Sequence, residues 1–176
     1  TQWTPNALGG GFAYDRYELM PIVEFTRPDD EQNTVDEIVP GRLIIKRDSN
    51  PTGDCVGGGL YNSAIESFYN NCTYLGPANT EWNSQYIDNT TYGFDNLEDV
   101  RTRKYGTWRD ALNGNVGNHI LSTDLIMHDL STDTYYKFQF SDWTSGNGGG
   151  FAYTRTLIPL QQVITFSDKT VQETAY

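Results

Sequence analysis

The sequence is poor in the residues that build most catalytic and metal sites. It contains two cysteines and two histidines, His119 and His128, and it has no H-E-x-x-H or G-x-S-x-G motif. Its GGGF segments lead into strand-like sequence, whereas phosphate-binding glycine loops open a helix. Glycosidases use a pair of catalytic carboxylates. With 23 acidic residues in the chain, such a pair could always be chosen, so the choice would carry no information. We therefore predict no catalytic residue, and we interpret His128 as a structural histidine at a strand end.

Basic residues and long apolar runs are also scarce. The chain has 12 Lys and Arg against 23 Asp and Glu, a formal net charge of −11. Nucleic-acid binding requires a positive surface, so this partner is excluded. No apolar run approaches the roughly 18 residues of a membrane span. Acidic clusters at 29–31 and 95–100 leave calcium possible, but without EF-hand spacing no cofactor is predicted and metal binding stays unknown.

Aromatic residues and glycine are abundant, and several segments alternate apolar with polar residues. Aromatics make up 14 % of the chain, which also has 17 glycines. This composition predicts an all-β fold, specifically an antiparallel β-sandwich or jelly-roll-like domain with an N-terminal strand arm. Helix is predicted only as short turns, around 62–71 and from a Thr107 cap to Leu112. Strands are predicted at 12–18, 21–26, 41–47, 124–130, 134–140, 151–158 and 161–166. An acidic, loop-like stretch at 27–37 suggests residues 1–37 as arm and linker and 38–176 as the sandwich.

Two observations favour an extracellular location, the spacing of the cysteines and the presence of sequons. Cys55 and Cys72 are too far apart for a C-x-x-C site, and a disulfide between them would stabilise the fold by about 3 kcal/mol. The alternative is two unpaired thiols. Asn71 and Asn89 begin N-glycosylation sequons, which also occur by chance in a chain rich in Asn and Thr.

One eight-residue sequence motif, which we call the phrase, occurs near both ends of the sequence. Residues 9–16 read GGGFAYDR and residues 148–155 read GGGFAYTR, so seven of eight positions are identical, and a Trp-Thr pair (Trp3, Trp143) precedes each copy. This repetition indicates duplication of a structural unit. The glycines permit a sharp entry into a strand, after which alternate residues share one face. The residues concerned are Gly9, Gly10, Gly11, Phe12, Tyr14 and Arg16 in the first copy, and Gly148, Gly149, Gly150, Phe151, Tyr153 and Arg155 in the second.

A wider pattern accompanies the second copy. The segments LIIKRDSN, GLYNSAIESFY, NTEWN, LEDVRTRKY, LIMHDL and YYKFQFSDWTSGN precede it in order. From residue 40 to 158 the chain resembles an uncharacterised β-rich repeat module of phage fibre-like virion proteins and microbial surface proteins. The resemblance implies a structural role and assigns no catalytic residue. Two departures are the insertion around the cysteines and the phrase at the front, which looks like the tail of a preceding module.

The two copies differ in their surroundings, and this difference suggests a function. The second copy follows a predicted hairpin strand at 134–140, whereas the first has no such strand before it. Both copies could be pseudo-symmetric strands of one domain. Alternatively, residues 1–26 of one molecule complete the sheet of the next, and repetition of this heterologous contact builds a fibre. We expect the second arrangement: a homopolymer, forming an extracellular filament, cell-surface appendage or virion fibre. Its assembly residues would be Trp3, Gly9, Gly10, Gly11, Phe12, Tyr14 and Arg16.

The rival hypothesis is a carbohydrate-binding or adhesin module that recognises surface glycans. Exposed aromatic rings stack on sugars, and Trp82 and Trp108 are the natural candidates. The alternative for both tryptophans is a place in the core.

Overall fold

A computed structural model describes residues 20–31, 33–47, 59–67, 75–88, 100–144 and 149–159, and the backbone of strands at 161–165 and 171–175. The chain divides into two compact units. One consists of residues 20–159, and the other is drawn from residues 1–19 and 160–176. Of the second unit only the two strands are described.

The described chain is built mainly of antiparallel strands, which confirms the predicted all-β class, while the sandwich arrangement stays a prediction. The main unit contains a five-stranded sheet of order β1-β8-β7-β6-β5 and a three-stranded sheet of order β2-β3-β4. The strands are β1 (Ile22–Arg27), β2 (Asp36–Val39), β3 (Leu43–Arg47), β4 (Leu60–Asn62), β5 (Thr80–Asn83), β6 (Asp124–Asp129), β7 (Thr134–Trp143) and β8 (Phe151–Ile158). The short helices are α1 (Gln85–Asp88), a 3-10 turn (Val100–Thr102), α2 (Trp108–Ala111) and α3 (Val116–His119).

Alternation along β7 determines which face of the large sheet is buried. Tyr136, Phe138 and Phe140 are buried on one face of this strand, as the period of two predicts. Several of their register neighbours on β6 and β8 extend this apolar face, since Leu125 lies opposite Phe138 and Tyr153 lies opposite Phe140. The small sheet supplies further members of the same core cluster, namely Leu43, Ile45 and Leu60.

Trp82 and Trp108 lie in this core. Their exposures are 0 % and 1 %, and their rings meet edge to face with centroids 4.6 Å apart. Neither ring offers a face to a ligand, so burial removes both residues as sugar-stacking platforms. The structure places them as core aromatics, the alternative that the sequence also allowed.

The helical turn at Thr107 forms as predicted. Thr107 caps α2, its hydroxyl accepts a hydrogen bond from the Asp110 amide, and the Asp110 carboxylate accepts one from the Thr107 amide. This reciprocal arrangement is a capping box. Asn113 and Gly114 follow with φ of 51° and 77°, the left-handed conformation in which a helix commonly ends.

The N-terminal part of the main unit is paired with strands of its own molecule, although the composition of residues 27–37 suggests a loop. Strand β1 pairs with β8 of the same chain, from Ile22 opposite Thr156 to Arg27 opposite Phe151. Within the loop-like stretch at 27–37, Arg27 ends β1, Asp36 begins β2, and both side chains are buried. A detachable arm therefore has to end before β1.

The described part of the second unit is a two-stranded antiparallel ladder. Strand β9 (Gln161–Thr165) pairs with β10 (Val171–Ala175), and Val163 lies opposite Glu173. Strand β9 was predicted at 161–166, whereas β10 was not predicted. No helix within the described ranges is long and apolar enough to cross a membrane.

Candidate assembly site

The second copy of the phrase shows what its residues require from their surroundings. It enters β8 between β7 and β1, so this strand has a partner on each side. Gly149 and Gly150 precede the strand, and Gly149 has a φ of +71°. Phe151, Tyr153 and Arg155 then alternate along the face that carries the core residues. We call the groups that contact this copy the phrase socket; it consists of Phe25, Arg27, Asp29, Asp36, Arg47 and Trp143.

Gly150 is needed because both the side chain and the backbone of Asp29 approach it closely. Its amide donates a hydrogen bond of 2.8 Å to Asp29 Oδ1. A Cβ at this position would lie 2.6 Å from that oxygen and 3.0 Å from the Asp29 backbone nitrogen. Both distances are shorter than carbon normally allows, so a side chain here would displace the loop that carries Asp29.

Two buried arginines hold the turn that leads into β8. Arg47 donates to the carbonyls of Gly150 at 2.6 Å and Thr144 at 2.7 Å. Its guanidinium also lies 3.7 Å from the Trp143 ring centroid, a cation–π contact. Arg27 donates to the carbonyls of Arg47 and, at 3.1 Å, Gly149. The turn is thereby tied to β1 and β3 through backbone carbonyls.

Arg47 carries its positive charge in a buried position, which lowers its pKa. Its side chain is 0 % exposed. Burial, together with the neighbouring charge of Arg27, lowers the pKa of Arg47 to about 10, against the opposing attraction of Asp29 and Asp142. Desolvating a cation is costly unless hydrogen bonds and opposite charge replace water, and the carbonyls of the turn supply such bonds.

The aromatic residues of the phrase pack against β1. Phe151 and Tyr153 are 0 % and 1 % exposed. The Phe25 ring lies 5.4 Å from Phe151 and 5.3 Å from Tyr153, measured between centroids. These distances fall in the favourable range for aromatic pairs, so β1 anchors the phrase by side chains as well as by its ladder.

Asp36 binds the far end of the phrase. Its carboxylate accepts hydrogen bonds from Tyr153 Oη at 2.7 Å, Arg155 Nε at 2.7 Å and Arg155 Nη2 at 3.1 Å. The side chains of Arg155 and Asp36 are 13 % and 8 % exposed. Burial, then the charge of Asp36 and the hydrogen bond to it, raise the pKa of Tyr153 well above its usual value. Tyr153 therefore keeps its proton and donates a hydrogen bond to Asp36 as a neutral phenol.

Sequence reasoning identified the phrase but missed its socket. Arg27, Asp29 and Asp36 belong to a stretch whose charge resembles a solvated loop. For Arg47 a signal existed, because period-two alternation places it on the same face of β3 as the apolar Leu43 and Ile45. A charged residue at the end of a buried face indicates a specific partner, which here is the carbonyl-lined turn.

Many predicted site residues lie outside the described residues. They are the complete first copy (Trp3, Gly9, Gly10, Gly11, Phe12, Tyr14, Arg16), Gly148, the cysteines Cys55 and Cys72, and the sequon residues Asn71 and Asn89. The structure therefore brings together only the second copy and its socket.

A cleft of about 440 Å³ lies beside α2 and β5. Three carboxylates line it, and each has a local partner. Glu66 accepts from the amides of Asn62 and Ala78, Asp110 belongs to the capping box, and Glu81 lies 2.8 Å from His128. Hydrogen bonds from the Thr107 hydroxyl and then its amide lower the pKa of Asp110. These contacts explain the three acids as supports of local structure.

The two histidines are also engaged in packing. His128 lies between Glu81 and Asp133, with its Nε2 2.9 Å from the latter, and its ring stacks on Tyr135 at 4.1 Å. His119 Nδ1 lies 3.0 Å from the Tyr86 hydroxyl. Within the described ranges, no group of three or more His, Cys, Asp or Glu side chains is placed to hold a metal ion.

Comparison of the chain with protein-family models, with curated proteins and with solved structures found no match.

Proposed function

We propose that the chain is a structural subunit that self-assembles head to tail, the N-terminal phrase of each copy pairing with a strand of the next. One observation carries the proposal. Gly150, Tyr153 and Arg155 of the second phrase all form hydrogen bonds with socket residues, namely Asp29, Asp36 and Arg47. The first phrase shares seven of eight positions with the second, so we expect it to need equivalent binding partners. The socket of the main unit is already filled by the copy that enters β8.

The chemistry of the phrase suits strand addition. A β-strand supplied by another molecule gains main-chain hydrogen bonds and places alternate side chains in pockets. By analogy with Phe151 and Tyr153, Phe12 and Tyr14 would be the anchors, and Arg16 would pair with a carboxylate as Arg155 does. Because the donor and acceptor surfaces differ, the contact is heterologous, and its repetition gives an open fibre.

An extracellular or virion setting is part of this proposal. It is supported by the sequons at Asn71 and Asn89, by the spacing of Cys55 and Cys72, and by the resemblance to fibre and surface-protein modules. Peptide mass mapping of natural material, without and with reductant, tests it. A Cys55–Cys72 linked peptide is expected, and two free thiols would count against an oxidising location.

The direct test compares the full chain with a variant that lacks residues 1–19, a deletion that spares β1. We expect fibres by negative-stain electron microscopy from the full chain and monomers from the deletion. In the full chain, Phe12→Asp should likewise abolish fibres. Ile22→Asp is the matched control, since Ile22 is 67 % exposed on β1 and its change should leave fibres intact. Fibres that persist without residues 1–19 would refute the proposal.

A further inference from the structure

His128 has a carboxylate beside each of its two ring nitrogens. Its Nδ1 lies 2.8 Å from Glu81 Oε1, and its Nε2 lies 2.9 Å from Asp133 Oδ1. Glu81 belongs to β5, the last strand of the large sheet, and Asp133 belongs to the turn between β6 and β7. We call residues 130–133 the β6–β7 turn. The ring therefore connects this turn to β5 through two contacts.

Both contacts are hydrogen bonds only while the ring carries two protons. An ionised carboxylate accepts hydrogen bonds and donates none, whereas a neutral imidazole has one N–H group and one lone pair. In the neutral ring, one nitrogen would therefore turn its lone pair towards a carboxylate oxygen. The protonated ring donates at both nitrogens, and its charge strengthens both hydrogen bonds.

The other ionisable groups around the ring leave the two carboxylates as its charged partners. The His128 ring stacks on Tyr135 of β7 with centroids 4.1 Å apart, and the ring of Tyr105, which precedes α2, lies 5.7 Å away. Burial, followed by the charge of Asp133, raises the pKa of Tyr135, so this phenol is neutral wherever histidine titrates. Arg101 of the 3-10 turn lies 4.0 Å from the second oxygen of Asp133, which places its charge on that carboxylate.

We propose that His128 is a proton-operated clasp, which holds the β6–β7 turn to the sheet while its ring is protonated and releases the turn when the proton leaves. The contact to Asp133 is the one that opens. The side chain of Asp133 is 64 % exposed, against 37 % for Glu81, so water replaces the hydrogen bond of Asp133 at the lower cost. The remaining ring proton stays on Nδ1, opposite Glu81.

The direction of the pH dependence follows from the charge of the ring. Histidine is the side chain that ordinarily changes its charge between about pH 5 and 8. The clasp is closed on the acidic side of the ring's titration, where both nitrogens donate, and it is open on the alkaline side. It does not depend on self-assembly, because every group that forms it belongs to the main unit.

Two amides of the β6–β7 turn show whether the turn stays docked. The Leu130 amide donates a hydrogen bond of 3.0 Å to the Asn79 carbonyl, and the Ser131 amide donates one of 2.9 Å to Asp129 Oδ1. Both amides lie in the same four-residue turn as Asp133. Release of Asp133 should therefore open these hydrogen bonds more often and expose the amides to exchange with water.

Amide hydrogen exchange of the full chain, followed by nuclear magnetic resonance between about pH 5 and 8, tests the clasp. The ring titration is read from the His128 ring signals, and exchange rates are corrected for their intrinsic pH dependence. Exchange at Leu130 and Ser131 should accelerate about two- to fivefold as the ring loses its proton, the range for an ion pair with an exposed partner. The Trp82 amide of β5, which donates to the Gly106 carbonyl, is the internal reference and should not change.

Two variants determine whether the proton on His128 is responsible. In Asp133→Asn the side-chain amide can accept from an N–H group or donate to a lone pair, and asparagine tolerates the φ of 52° at this position. The acceleration should therefore disappear while the turn stays docked. His119→Gln is the matched control, because His119 is the chain's other histidine and faces the Tyr86 hydroxyl, which can donate or accept. Here the acceleration should persist.

Each contrary outcome bears on a definite part of the proposal. The clasp is overturned by exchange at Leu130 and Ser131 that does not follow the ring titration in the full chain. An acceleration that persists in Asp133→Asn, or that disappears in His119→Gln, also overturns it. Acceleration at Trp82 with the turn unchanged would show that the contact to Glu81 opens instead, and Asp133 would then be wrong as the released partner.

Discussion

Arg155 and Asp36 form a two-point ion pair that joins β8 of the large sheet to β2 of the small one. Arg155 Nε and Nη2 lie 2.7 and 3.1 Å from the two carboxylate oxygens, and both side chains are largely buried. The hydroxyl of Tyr153 reaches the same carboxylate. One acid thereby satisfies two members of the phrase, and its loss would leave both without their acceptor.

Asp36→Asn should destabilise the main unit by about 2 kcal/mol, because hydrogen bonds to charged groups contribute about 1.5–3 kcal/mol. The asparagine keeps the shape of the side chain but removes the charge that Arg155 needs. Urea unfolding followed by tryptophan fluorescence measures the change. Glu24→Gln, an exposed acid on β1, is the control and should change stability by less than about 0.5 kcal/mol. Equal effects of the two variants would show that the ion pair does not contribute.

Tyr153→Phe should change how the unfolding free energy depends on pH in the alkaline range. The raised pKa of Tyr153 means that its proton leaves the unfolded chain first, near pH 10. Its stabilising effect is therefore fully present below about pH 10 and is lost as pH rises toward the folded-state pKa. The difference in unfolding free energy between wild type and variant should be constant up to about pH 10 and then fall, by up to about 1.4 kcal/mol per pH unit. Other tyrosines and Arg47 titrate in both proteins, so their effects cancel in the difference. A difference that does not change between pH 8 and 11 would contradict the buried, neutral phenol.

Arg47→Lys should destabilise the main unit by about 2–4 kcal/mol, although it keeps the charge. A lysine cannot donate to the carbonyls of both Gly150 and Thr144 while its cation lies over Trp143, and burying a poorly satisfied ammonium is costly. Thermal and urea unfolding provide the measurement. Arg42→Lys is the matched control, because Arg42 is exposed. A tolerated lysine at position 47 would show that the turn needs only positive charge.

The sequence predicted the longer strands and the turn at Thr107, missed the short strands β2, β4 and β5, and predicted only part of the site. Alternation along β7 and the cap at Thr107 are local patterns, and both formed where expected. The socket is non-local, since Asp29 meets Gly150 and Asp36 meets Arg155 across more than one hundred residues. The short-range periodicity of a sequence carries no information about contacts between residues so far apart. Charge also misled the interpretation, because Arg27 and Asp36 belong to a stretch that its charge predicts to be a loop-like linker, and both are instead buried against carbonyls and partners.

The glycines of the phrase provide a paired test of the duplication. Gly150→Ala should cost the main unit about 1–3 kcal/mol, because its Cβ would overlap the Asp29 loop. Gly117→Ala is the control: it lies in α3, where an added Cβ meets no atom within 4 Å, and alanine favours helix by up to about 1 kcal/mol.

Gly11 is the counterpart of Gly150 in the first copy of the phrase. If the first copy docks on another molecule in the same manner, Gly11→Ala should leave the unfolding transition of the main unit unchanged and weaken assembly. Sedimentation velocity over a concentration series measures the second effect. The reverse result, an unfolding transition lowered by Gly11→Ala with assembly intact, would place the first phrase inside the fold of its own molecule and contradict its role as a linker between subunits.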